Sequence, residues 1–200
     1  MKKLLTLSLT AVAALAFNGC SDPAKYEDPN GNHTIVSLDK VNIQDFAAAS
    51  DFLVQSLMSS EEFGKIVQAG KKPVVAVSSV RNDTSSQFDT DMLMQKINTA
   101  LIKSRKVLIS TTVGAGGRAP DQLARELRAA DEFASGRDSV AQAPEYTISG
   151  KILEDRASAG STRQTSYIFQ LTLTDVRQGA AVWMDEKTVT KQGEKNSVGW

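Results

Sequence analysis

The sequence predicts an α/β domain, a mixed sheet of about four to five strands flanked by helices. Three observations carry that expectation. A β-branched run, Val74-Val75-Ala76-Val77-Ser78-Ser79-Val80, has the composition of a buried strand. Helical periodicity precedes and follows it, with Leu93, Ile97, Ala100 and Leu101 on one face. The last third holds alternating segments around the turn Arg177-Gln178-Gly179-Ala180. Helices interleaved with strands, followed by strands alone, give layered α/β architecture.

In order along the chain, Asn42 is the expected N-cap of a first helix whose core face carries Ile43, Phe46, Ala47, Val54, Leu57 and Met58. Ser59-Ser60-Glu61-Glu62 marks a break and a new cap. A short helix with Phe63, Ile66 and Val67 then ends near Gly70. Strand 74–80 leads into Arg81-Asn82-Asp83-Thr84, a turn of residues that bond to nearby backbone. Asp89 or Thr90 caps a helix reaching about Lys106, where Lys103, Arg105 and Lys106 oppose the negative end of its dipole.

A second strand is expected over Val107–Val113, then a flexible Gly114-Ala115-Gly116-Gly117 connection. Pro120 opens a helix to about Ser135, with Leu123, Leu127 and Phe133 or Ala130 facing the core and Arg128 paired with Glu132. Three strands finish the domain: Tyr146–Leu153, Ser166–Asp175 and Ala181–Thr190. Tyr167, Phe169, Leu171 and Leu173 alternate with polar residues, as in a sheet with one wet face. The polar stretch Asp155–Thr165 is expected to be a long loop, and Trp183 to be core.

The amino terminus has a different character. Met1-Lys2-Lys3 precedes an uncharged apolar run from Leu4 to Phe17, too short to span a bilayer, which needs about 20 residues. This is the pattern of a secretory signal peptide, 1–19. The single cysteine, Cys20, follows Gly19 where that run ends. Gly19-Cys20 resembles the end of a bacterial lipobox, which implies a lipid-bearing Cys20 as the first mature residue. Ser21 rather than aspartate after it implies sorting to the outer membrane. Several acyl chains on Cys20 would hold a membrane firmly, whereas one holds it marginally.

Residues 20–40, with Pro23, Pro29, Asn30, Gly31 and Asn32, read as a flexible tether reaching at most about 70 Å. The domain is expected over 41–192 and a frayed tail over 193–200, with Trp200 at its end.

Charge and residue types exclude several function classes. The precursor has 23 basic and 23 acidic residues, so removing Lys2 and Lys3 leaves the mature chain near −2. That balance lacks the positive footprint of a nucleic-acid binder. His33, the only histidine, lies in the tether, so no Ser-His-Asp set on a rigid scaffold is expected. With Cys20 acylated, no histidine and cysteine cluster is left for zinc or iron. Asp83, Asp89 and Asp91 lack the spacing of a calcium loop and read as helix caps or turn residues. Gly114–Arg118 lacks the lysine and hydroxyl of a phosphate loop. Neither catalytic residues, cofactor, metal nor small-molecule substrate is expected.

The strand and turn Val75–Thr84 resemble the corresponding segment of the LpoB lipoproteins, activators of bifunctional penicillin-binding proteins. The helix Asp89–Ser104, the strand Val107–Ser110, the segment Glu145–Ile152 and the final hairpin through Val182-Trp183 continue the resemblance over roughly residues 45–192. It implies a fold like the amino-terminal domain of TolB. It further implies a non-enzymatic outer-membrane lipoprotein that touches a periplasmic peptidoglycan synthase and favours its active state. Family members commonly carry a long proline-rich tether, and here the tether is short. TolB-like domains also occur in flagellum-associated lipoproteins, so a structural or assembly role is the alternative.

Overall fold

The computed structural model describes residues 24–29, 31, 34–67, 72–114, 118–136 and 143–194. The signal peptide, Cys20, His33, Gly70, the glycines of 115–117 and Trp200 lie outside the described residues. Among those described, no helix is long and apolar enough to cross a membrane.

The elements run α1 (Ile43–Ser59), α2 (Glu61–Val67), β1 (Val74–Asp83), α3 (Asp91–Ser104), β2 (Leu108–Ile109), α4 (Gln122–Ser135), β3 (Tyr146–Ala159), β4 (Thr162–Asp175) and β5 (Ala180–Glu194). They build a five-stranded mixed sheet in the order β2-β1-β3-β4-β5. β1 is parallel to β2 and β3, while β3, β4 and β5 form an antiparallel meander. The α/β class and mixed sheet are as the sequence indicates.

Helices α1 and α3 pack on one face of the sheet. Phe46, Leu53 and Leu57 from α1 and Leu93, Ile97 and Leu101 from α3 meet Ile148, Ile152, Tyr167, Phe169, Leu171 and Leu173 from the strands. Each such buried side chain contributes about 1.5–3 kcal/mol, so this layer dominates stability. The Phe46 ring meets Phe169 and Phe88 edge-on, with centroids 6.0 and 5.8 Å apart. The alternation expected in β4 holds, with its four large apolar residues under the helices.

Several boundaries differ from the sequence reading. Ile43 is exposed, and the buried face of α1 is instead Phe46, Ala49, Leu53, Val54 and Leu57. β1 runs through Arg81, Asn82 and Asp83, because these pair with Lys151, Ile152 and Leu153 of β3. The turn begins at Thr84. α3 ends at Ser104, where Arg105 takes a left-handed conformation with φ 57°.

β2 is only two residues long, since its backbone pairs with β1 at Val74 and Val75 alone. The expected loop Asp155–Thr165 is ladder: Asp155 pairs with Ser166 and Ala159 with Thr162. Gly160, φ 59°, supplies the positive φ that this two-residue hairpin turn requires. β5 continues past Thr190 to Glu194, with Lys191 buried. Trp183 is half-buried against the edge of the core rather than within it.

α4 is the largest departure. Asp121 caps it, accepting a hydrogen bond from the Ala124 N–H at 2.9 Å, and the Arg128–Glu132 pair forms at 3.1 Å. Yet the expected core face is bare. Leu123 is 64 %, Leu127 62 % and Phe133 92 % exposed, and the helix has no buried residue.

Candidate functional surface

Residues 34–40, expected to belong to the tether, are strapped with Val41 and Asn42 to the rest of the domain by Lys191. Thr165 and Lys191 are paired across β4 and β5, so the lysine projects from the helix-covered face toward the start of α1. Its ammonium forms an ion pair with Asp45 and donates to Ser37 O at 3.1 Å, Lys40 O at 2.8 Å and Asn42 Oδ1 at 3.2 Å. An ammonium has three protons, so four oxygens share them. The nitrogen also sits 5.3 Å from the Tyr167 ring centroid, a distance at which the ring face attracts a cation.

The partners of Lys191 are themselves fixed. Asp45 accepts from the Asn42 N–H at 2.7 Å, one half of a capping box. The Asn42 amide donates to Ile35 O at 2.9 Å. The Tyr167 hydroxyl donates to Leu38 O at 3.4 Å. Burial first, then the nearby Glu154 carboxylate, pushes the Tyr167 phenol up to about 12.

A second cluster holds the middle of the strap. The Arg156 guanidinium lies 3.7 Å from the Asp39 carboxylate and donates to Glu154 and, at 2.8 Å, to Ser85 Oγ. Glu154 accepts from the Ser85 N–H at 2.7 Å and from the Ser85 hydroxyl at 2.8 Å. The Ser86 hydroxyl donates to Asp39 O at 2.5 Å. Burial alone would raise the Glu154 carboxyl; the bonds from Ser85 and Arg156 outweigh it and hold the group below its ordinary value.

Arg81, Asn82, Asp83 and Thr84 take structural roles. Arg81 is paired with Asp83 at 2.6 Å. Asn82 Oδ1 accepts from the Thr84 N–H at 3.0 Å, and its amide donates to Ser86 O at 2.8 Å, which shapes the 84–86 turn. Asp89 accepts from the Asp91 N–H at 2.8 Å. Asp83 is thus ion-paired within β1 and Asp89 holds the first turn of α3, and no metal-holding group of three or more His, Cys, Asp or Glu occurs among the described residues.

The opposite sheet face carries cross-strand polar pairs instead of helices. Gln170 donates to Glu186 at 2.6 Å, Gln192 to Gln164 at 2.7 Å, and the Ser166 and Thr190 hydroxyls bond at 2.9 Å. The described residues include neither histidine nor cysteine.

Sequence reasoning missed Lys191, Asp45, Tyr167 and Arg156 as strap partners. One signal was present. Asp185, Lys187 and Lys191 occupy the same alternating positions as Trp183 and Val189, and charge on a core-facing register demands a partner.

A family model described as peptidoglycan-synthase activator LpoB matches residues 45–189, from the first turns of α1 to the last third of β5. Among solved structures, the LpoB C-terminal domain from Salmonella enterica is 16% identical with a TM-score of 0.43, covering 72% of this chain and 98% of that one. The LpoB C-terminal domain from Escherichia coli is 14% identical with a TM-score of 0.42, covering 74% and 99%. The NMR structure of E. coli LpoB is 13% identical with a TM-score of 0.39, covering 96% and 84%. No curated protein sequence matches the chain. With well over half of its length matched by the family model, the chain belongs to the LpoB family of peptidoglycan-synthase activators.

Proposed function

We propose that the protein is an outer-membrane lipoprotein, anchored through acylated Cys20, whose periplasmic domain binds and activates a bifunctional penicillin-binding protein without catalysing a reaction itself. The observation that carries this reading is the family match, which spans the sheet and both core helices as one ordered series. The placement of Cys20 after a short apolar run supports the anchor. Activation by touch requires only that the domain bind the active synthase more tightly than the resting one.

The strap alters the reach of such an activator. Because the Asn42 amide holds Ile35 O and Gln44 Nε2 donates to Pro29 O at 2.8 Å, the stretch from Cys20 to Pro29 spans at most about 30 Å. Mass spectrometry of the native amino terminus, with capture of membrane proteins on the immobilised domain, tests the proposal. Acyl groups on Cys20 and recovery of a bifunctional synthase are expected. An unmodified thiol, or cleavage at another bond, overturns the anchor. Recovery of flagellar components without a synthase overturns the partner.

A further inference from the structure

The bare face of α4 is built to pair with itself. Ala124, Arg128 and Glu132 are half-buried on the side turned to the domain, where Arg128 reaches Thr112 Oγ1 at 3.4 Å. Leu123, Leu127, Ala130 and Ala134 follow a 4-3-4 spacing, which places them on the opposite side as one stripe of a coiled-coil seam. All four are exposed, as is Phe133 beside them. An apolar stripe turned outward on an otherwise charged helix marks an interaction surface.

Size and charge along the stripe select the occupant. Both large residues lie in the amino-terminal half and both small ones in the carboxy-terminal half. Two copies running antiparallel place Leu123 against Ala134 and Leu127 against Ala130, large into small at every level. Parallel copies would stack leucine on leucine and leave alanine facing alanine. They would also bring Glu126 of one helix beside Asp131 of the other, a like-charge pair at the flanks of the seam. The antiparallel arrangement keeps those carboxylates at one level but sets them on opposite flanks of the seam, pointing apart.

We propose that the protein associates through α4 with a second copy of itself, in an antiparallel two-helix contact about a twofold axis between Arg128 and Ala129. About three turns of seam cover far less than the roughly 1,200 Å² of a stable interface, so the dimer is weak and exchanges rapidly. Anchoring on a common membrane would favour it by raising the local concentration.

Sedimentation of the full-length chain in density-matched detergent, over a concentration series, tests this. The wild type should approach twice the monomer mass. Leu127→Asp should raise the dissociation constant at least about tenfold, equivalent to about 1.4 kcal/mol. Ala130→Leu, which fills the space that Leu127 of the other copy needs, should weaken association as well. Both sites are exposed, so an unchanged unfolding midpoint checks that the variants fold. A wild type that stays monomeric overturns the proposal, as does a dimer indifferent to Leu127→Asp. A dimer strengthened by Ala130→Leu overturns the antiparallel arrangement. A monomeric wild type whose binding to a purified synthase is lost in Leu127→Asp assigns the face to that partner instead.

Discussion

The Lys191 ammonium and the Asp45 carboxylate form a buried ion pair between the end of the sheet and the first turn of α1, with side chains only 7 % and 8 % exposed. Buried pairs rarely add net stability, but breaking one is costly because the surviving charge has lost both water and partner. Here the lysine also carries three oxygens from residues 37–42, so the pair decides where the tether stops and the domain starts.

Lys191→Met should therefore destabilise the domain by about 3–5 kcal/mol in denaturant unfolding. It should also free the strap, so limited proteolysis of the native protein within 34–42 becomes faster. Loss of stability with unchanged proteolysis would show that the strap is held by other contacts.

Glu154→Gln should cost about 1–3 kcal/mol at neutral pH, because hydrogen bonds to a charged acceptor are lost. The folded Glu154 carboxyl is held below its ordinary value of 4.5. Its stabilisation is thus present above pH 4.5 and disappears as pH falls through the lower folded value. The gap between wild type and variant should close on acidification, as measured by unfolding midpoints across pH 2–7.

Tyr167 gives the opposite dependence. Its phenol is raised to about 12 in the folded state against 10.0 when free. The neutral form is favoured by folding, so its contribution is complete below pH 10 and is lost as pH rises toward 12. Alkaline unfolding curves of Tyr167→Phe should be flatter over this window than those of the wild type. A folded-state absorbance titration should show one of the three tyrosines ionising near pH 12.

Gly150→Ala should destabilise by about 1–3 kcal/mol, the usual cost of overpacking. A Cβ there would lie 2.7 Å from Gln170 O and 2.8 Å from Leu171 Cδ2, so backbone has to move. The same substitution at Gly64, where nothing lies within 4 Å, should not destabilise, because alanine is the better helix former.

Elements with a buried face were legible in the sequence. Alternation in β4, the Asn42 cap and the Leu93–Ile97–Leu101 stripe each follow from one side meeting the core. Segments 155–165 and 191–194 were not, because much of this ribbon has no helix above it. Its Thr, Ser, Arg and Gln side chains therefore carry no hydrophobic period although the backbone is paired.

The α4 pattern was read correctly as amphipathic and wrongly as core-facing. Periodicity shows that one side is apolar but not which surface covers it. The strap was illegible for another reason: Lys191 lies about 150 residues from the carbonyls it binds. No local signal links them.

The most direct test of the central claim is the glycan polymerisation rate of a purified bifunctional penicillin-binding protein, measured with and without this protein at saturating concentration. The account predicts a saturable increase that survives removal of the lipid anchor. A rate that stays constant while binding is demonstrated would contradict it.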